Sequence, residues 1–134
     1  MRTARPGWRF WQGLTPRNLA LLLLLVLVII SLFALVDYLA HSLSKEYAVP
    51  SYYFRNKVIF GTLIGFAACL LTRNRGLFTR SLAFSSSVSV LLQVRYFLEG
   101  YPPDFVVTFL FIHFLILLPV SLLVFRLVGE RMWK

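Results

Sequence analysis

Residues 19–40 read LALLLLLVLVIISLFALVDYLA, with no charged side chain before Asp37. A helix needs roughly 20 predominantly apolar residues to cross about 30 Å of hydrocarbon, and this stretch supplies them. Three further segments have comparable character, at about 58–72, 81–98 and 105–128. The sequence therefore predicts an all-α membrane protein of four transmembrane helices. Composition agrees: of 134 residues 59% are hydrophobic and 14% charged, and mean hydropathy is +0.77. A water-soluble domain of this size needs far more polar surface.

With four spans, about 18 residues precede the first and about 17 lie between the first two, so the chain reads as one four-span domain over 1–134. A cleaved leader is the rival reading of the first segment, because Arg2, Arg5 and Arg9 resemble a charged n-region. The apolar run is longer than a usual leader core, and Asp37, Tyr38 and His41 stand where small residues would mark cleavage. Thr15-Pro16 also has the form of an N-cap followed by Pro at the first helical position. The first segment is expected to be a span.

The net charge of +9 is distributed unevenly. Sorted by loop, Arg2, Arg5, Arg9, Arg17, Arg73, Arg75, Arg80, Arg126, Arg131 and Lys134 share one side with Glu130 alone. Lys45, Arg55, Lys57 and Arg95 share the other side with Asp37, Glu46, Glu99 and Asp104. Short cytoplasmic loops retain Lys and Arg, so both termini are expected in the cytoplasm. All three Trp (Trp8, Trp11, Trp133) fall on the basic side and all six Tyr (Tyr38, Tyr47, Tyr52, Tyr53, Tyr96, Tyr101) on the neutral one. The basic face points to anionic lipid as its partner, and not to nucleic acid. Residues 1–18, rich in Arg and bulky aromatics, are expected to lie in the headgroup layer.

Turn chemistry divides the chain further. Val49-Pro50-Ser51 breaks any helix. Arg73-Asn74-Arg75-Gly76 makes a tight turn in which Gly76 is expected to take φ > 0 and end the second helix. Gly100-Tyr101-Pro102-Pro103-Asp104 makes another, with Asp104 expected to cap the fourth. The resulting architecture is two antiparallel hairpins.

Gly61, Gly65 and Cys69 follow at four-residue steps, as do Ser81, Ser85, Ser89 and Gln93. Small-xxx-small stripes let backbones approach closely. Run against each other, they would place Cys69 opposite Ser85, Gly65 opposite Ser89 and Gly61 near Gln93, either as a packed seam or as a hydroxyl-lined path.

Ionisable groups in spans are costly and are functional candidates by default. Asp37 and His41 lie one turn apart near the outer end of the first span, and Arg95, Tyr96 and Glu99 lie at the outer end of the third. Asp37 is expected to pair with Arg95. The alternative use of these five residues is a substrate or proton site. Asp37 and His41 supply only two ligands, too few for a metal by themselves. His113, eight residues below Phe105 and so about 12 Å into the bilayer, is expected near midplane, hydrogen-bonding across helices. Pro119 is expected to bend the fourth helix, with Ser121 satisfying a freed carbonyl.

One cysteine, Cys69, excludes a CxxC thiol centre, and a count of two histidines argues against a haem pair or His-rich di-iron site. No cofactor is expected. The functional expectation is a non-enzymatic subunit that packs against other membrane proteins in an accessory, assembly or stabilising role. The alternatives are a homo-oligomeric channel or small-solute transporter, and a membrane enzyme acting on a lipid-type substrate.

Overall fold

The computed structural model describes residues 14–129. Trp8, Trp11, Trp133 and most of the interfacial segment expected at 1–18 lie outside the described residues. Four helices occupy most of the described residues: α1 (Pro16–His41), α2 (Tyr52–Leu71), α3 (Leu77–Leu98) and α4 (Pro103–Val124). A short 3-10 turn covers Lys45–Tyr47, and Phe125–Gly129 continues α4 with a wider turn. All four helices are long and apolar enough to cross a membrane.

Local chemistry explains most of the boundaries. Thr15 caps α1 as the sequence implies, its hydroxyl accepting from the Asn18 amide at 3.1 Å with Pro16 beginning the helix. Ser42 closes the other end by donating to the Tyr38 carbonyl at 2.8 Å. Two turn assignments change. Gly76 has φ −65° and starts α3 instead of ending α2, while Thr72 terminates α2 by donating to the Ala68 carbonyl at 2.7 Å. Asp104 makes no capping hydrogen bond, because α4 begins one residue earlier, at Pro103. Its carboxylate instead lies in the first turn, where a negative charge complements the helix dipole.

The left-handed position is Gly100, at φ +94°, directly after the last residue of the α3 cap. There an L side chain crowds its own carbonyl. Gly100→Ala is expected to destabilise the protein by about 1–2 kcal/mol, read as a lowered denaturation midpoint in detergent micelles; an unchanged midpoint would show that the turn can relax.

Each helix packs against its neighbours in the chain, and α1 closes the ring against α4. The C-terminal end of α1, the first turns of α2, the C-terminal half of α3 and the first half of α4 meet at one level, as the contacts between Asp37, Lys57, Gln93 and His113 show. Every helix turns a stripe inward at steps of three or four: Val26, Ile30, Phe33, Asp37 and His41 on α1, and Tyr53, Lys57, Gly61, Gly65 and Cys69 on α2. On α3 the stripe is Ser81, Ser85, Ser89 and Gln93 beside Phe84, Val88, Leu92 and Tyr96; on α4 it is Phe109, His113, Leu117 and Ser121. Leu24, Leu35, Phe111, Leu115 and Leu123 point outward. Lipid tails are as apolar as leucine, so close packing and interhelical hydrogen bonds, rather than transfer out of water, hold such a bundle together.

The two small-residue stripes do not face each other. A side chain begun at Gly61 would meet Ile30 of α1 at 3.2 Å, and one at Gly65 would meet the Phe84 ring of α3 at 2.5 Å and Val26 of α1 at 3.0 Å. The glycines thus receive bulky side chains from α1 and α3. The serine stripe faces α4, where Ser85 and Ser121 share a hydrogen bond at 3.2 Å. Ser121 donates to the Leu118 carbonyl at 3.1 Å, so the shared proton comes from Ser85. The carbonyl deprived by Pro119 is that of Leu115, one helical turn earlier, and Ser121 does not serve it. The helix nevertheless continues through Pro119.

Candidate functional site

Where the four stripes meet, the apolar interior gives way to charge. Asp37, Lys57 and His113 are completely buried, and His41 is 4% exposed. Each comes from a predicted or newly found inward stripe: Asp37 and His41 from α1, Lys57 from α2, His113 from α4, with Gln93 from α3 beside them.

The Lys57 ammonium forms an ion pair with Asp37 Oδ2 and lies 3.1 Å from His113 Nε2. It also lies over the Tyr53 ring, 4.2 Å from its centroid, with Phe33, Phe54 and Tyr96 between 5.2 and 5.8 Å away. Aromatic faces attract a cation, more strongly where water is absent. One carboxylate and one ammonium leave the centre neutral when both imidazoles are neutral. This balance is what makes burial tolerable, since an unpaired ion in such a place is very costly.

The histidines are oriented from outside the centre. His41 Nδ1 is 2.7 Å from the Tyr47 carbonyl. A carbonyl can only accept, so the Nδ1 proton is fixed there and Nε2 of the neutral ring is a bare lone pair. That nitrogen lies 3.3 Å from Asp37 Oδ2 and has no hydrogen-bond partner. The ring itself stacks flat on Phe109 at 4.0 Å, tilted by 2°. His113 Nδ1 is 2.7 Å from the Gln93 side-chain amide, and its Nε2 is 3.0 Å from Asp37 Oδ1. With the amide nitrogen donating to Nδ1, the ring proton is on Nε2, beside the carboxylate.

The expected Asp37–Arg95 pair is not formed. Arg95 bonds Glu99 at 2.7 Å on the same helix and lies over Phe60 at 3.6 Å. The reason is helical phase: Gln93 and Tyr96 face inward, Arg95 is rotated about 100° or more from both, and Glu99 is about 120° from Gln93 and lies past the end of the inward stripe. Of the five residues expected to cluster, Asp37 and His41 are together. Tyr96 lies close by, stacked on Tyr53 with centroids 4.6 Å apart, and Arg95 and Glu99 belong to the surface. His113, expected apart near midplane, joins Asp37 and His41, and so three potential metal ligands lie together instead of two.

Lys57 is the residue that hydropathy missed. Arg55 and Lys57 depress the average so strongly that the second span reads as starting at Val58, which leaves Lys57 in a loop. The signal was the stripe itself: extended backwards in steps of four, Gly61 leads to Lys57 and then Tyr53.

A surface cleft reaches the edge of the centre at His41. A cleft of about 310 Å³ is lined by Tyr38, His41, Ser42, Ser44, Lys45, Ala48, Val49 and Phe54. In the other direction Ser89, Ser85 and Ser81 continue along α3 from Gln93, all buried and about 6 Å apart along the axis. Ser81 and Ser89 have no hydrogen-bond partner.

No protein-family model matches the sequence, and neither a curated protein nor a solved structure matches the chain.

Proposed function

We propose that the protein is a non-enzymatic carrier or channel for a small cation, crossing the bilayer as two antiparallel hairpins with both termini in the cytoplasm. The observation that carries this reading is the buried group of carboxylate, ammonium and two imidazoles at the meeting of four helices, with a surface cleft that reaches His41. A bundle held only by packing has no need of four ionisable groups in its interior, where each is costly. The serine track from Gln93 to Ser81 extends the polar path towards the basic, cytoplasmic side. Transport by so small a bundle calls for at least a dimer of this chain. Arg95 and Glu99 pair with each other on α3 and do not join Asp37 and His41, which weakens the reading of these residues as one substrate site of a membrane enzyme.

Reconstitution into liposomes tests the reading. Wild-type protein is expected to pass a small cation, followed with fluorescent indicators for protons, sodium and divalent ions. The double variant Asp37→Asn/Lys57→Met, which keeps the centre uncharged and near its original volume, is expected to lose at least tenfold of that flux. Equal flux from both, or none from either, would sink the proposal.

A second reading, an accessory or assembly subunit, rests on a different feature. Leu21, Leu24, Leu25, Val28, Val124, Leu127 and Val128 line an apolar groove between α1 and the end of α4, a shape suited to a helix of another membrane protein. Purification in mild detergent would decide for it by recovering a foreign chain in stoichiometric amount.

A further inference from the structure

We infer that Asp37, His41 and His113 form a binding site for a divalent transition-metal ion, with Lys57 as an internal cation that the metal displaces. The inference rests on the cation reading above and names the cation.

The first ground is the donor set. One carboxylate and two imidazoles, each offering one atom and all within 4.8 Å of one another, make the three-ligand N,N,O arrangement that binds zinc-like ions and leaves a fourth position open. Ligands at about 2.0–2.2 Å from a tetrahedral ion stand roughly 3.3–3.6 Å from each other. His41 Nε2 lies 3.3 Å from Asp37 Oδ2, and His113 Nε2 lies 3.0 Å from the other oxygen, Oδ1. A carboxylate that holds one ion through both oxygens would have an imidazole on either side of it.

The second ground is independent of distance. His41 Nε2 is a buried lone pair directed at a carboxylate, two acceptors with nothing between them, because the other ring nitrogen is committed to the Tyr47 carbonyl. Such a pair is relieved by a positive centre between them, a proton on Nε2 or a metal ion. Lys57 supplies its positive charge to Asp37 and leaves His41 Nε2 without a partner. A metal ion would satisfy all three ligands.

The outer groups also suit a metal. Ligating imidazoles characteristically donate their other N–H to a carbonyl or carboxylate, which fixes the ring. His41 already does so through Tyr47. His113 can do so through Gln93, whose Oε1 has no partner: turning the amide over presents that oxygen to Nδ1–H and frees Nε2 for the metal. Lys57 must withdraw as a dication enters, and its ammonium already lies over Tyr53 with Phe33 and Tyr96 nearby, a seat for a displaced cation. Entry is through the cleft at His41.

The test is Co²⁺ binding to the full chain, purified in detergent without a polyhistidine tag and followed by the visible absorption of tetrahedral cobalt. One ion per chain is expected, displaced by Zn²⁺. Lys57→Met, which removes the competing ammonium, is expected to bind on the order of tenfold more tightly. Asp37→Asn/Lys57→Met, with no charge left unpaired, is expected to lose the signal while eluting as a folded particle. Failure of both wild type and Lys57→Met to bind Co²⁺, or undiminished binding by the double variant, would overturn the inference. If cobalt is not bound and the liposomes still show a proton or sodium flux that depends on Asp37, the metal falls and the cation reading stands; absence of flux removes both.

Discussion

Asp37→Asn is expected to destabilise the protein by about 3–5 kcal/mol, the scale on which removing one partner strands a buried charge. The stranded group is Lys57, which has no exposure to solvent and whose ammonium then keeps aromatic faces for company, and His113 Nε2 only if that imidazole moves its proton to Nδ1. Lys57→Met alone should cost a similar amount by stranding the carboxylate, softened by the two imidazoles next to it. The combination Asp37→Asn/Lys57→Met should recover most of the loss, since replacing both members of a buried pair is often nearly neutral, and the new amide can donate to His41 Nε2. Chemical denaturation of the three variants in one detergent gives the comparison. A single substitution costing under about 1 kcal/mol, or a double variant no better than the singles, would mean that the pair is not the electrostatic centre of the fold.

The second large effect belongs to Gly65. A methyl group there would lie 2.5 and 2.9 Å from two Phe84 ring atoms and 3.0 Å from Val26 Cγ1, closer than carbon atoms tolerate. Phe84 cannot simply swing aside: it is fully buried and meets the edge of Phe125 at 5.6 Å. Gly65→Ala is therefore expected to cost about 1–3 kcal/mol through overpacking, and Gly65→Ala/Phe84→Leu to regain part of it. Gly61→Ala meets only the side chain of Ile30, at 3.2 Å or more, and should cost clearly less. If the two glycines proved equally tolerant in thermal unfolding, the close contact of α1, α2 and α3 at Gly65 would be refuted.

Hydropathy made the four helices legible, because a bilayer-crossing helix must be apolar over its whole length and nothing else in a 134-residue chain imitates that. Thr15-Pro16 marked the start of α1 for a local reason, so it could be read locally. What averaging concealed was rotation. Asp37 and Arg95 stand at comparable distances from their helix ends, yet only one faces inward, and depth alone cannot tell them apart. The four-residue stripes carried the missing angle. Gln93 continues the serines and predicts its own burial, and Tyr96, three residues on, follows it. The same rule applied to α2 would have brought in Lys57 and Tyr53, but a window that counts charges as loop signals stops at Val58. His113 was visible as an oddity; its partners were not, because they come from three other helices and no spacing along the chain relates them.

The Tyr47 carbonyl that holds His41 belongs to the main chain. Every amino acid would offer the same oxygen there, so a scan of point substitutions would pass over this link and score position 47 by its side chain alone. Insertion or deletion is another matter: one residue added between Ser42 and Tyr47 displaces that oxygen by up to ~3.8 Å, enough to release the imidazole and let it rotate. The length of the α1–α2 connection, and not its spelling, is thus what the buried centre depends on.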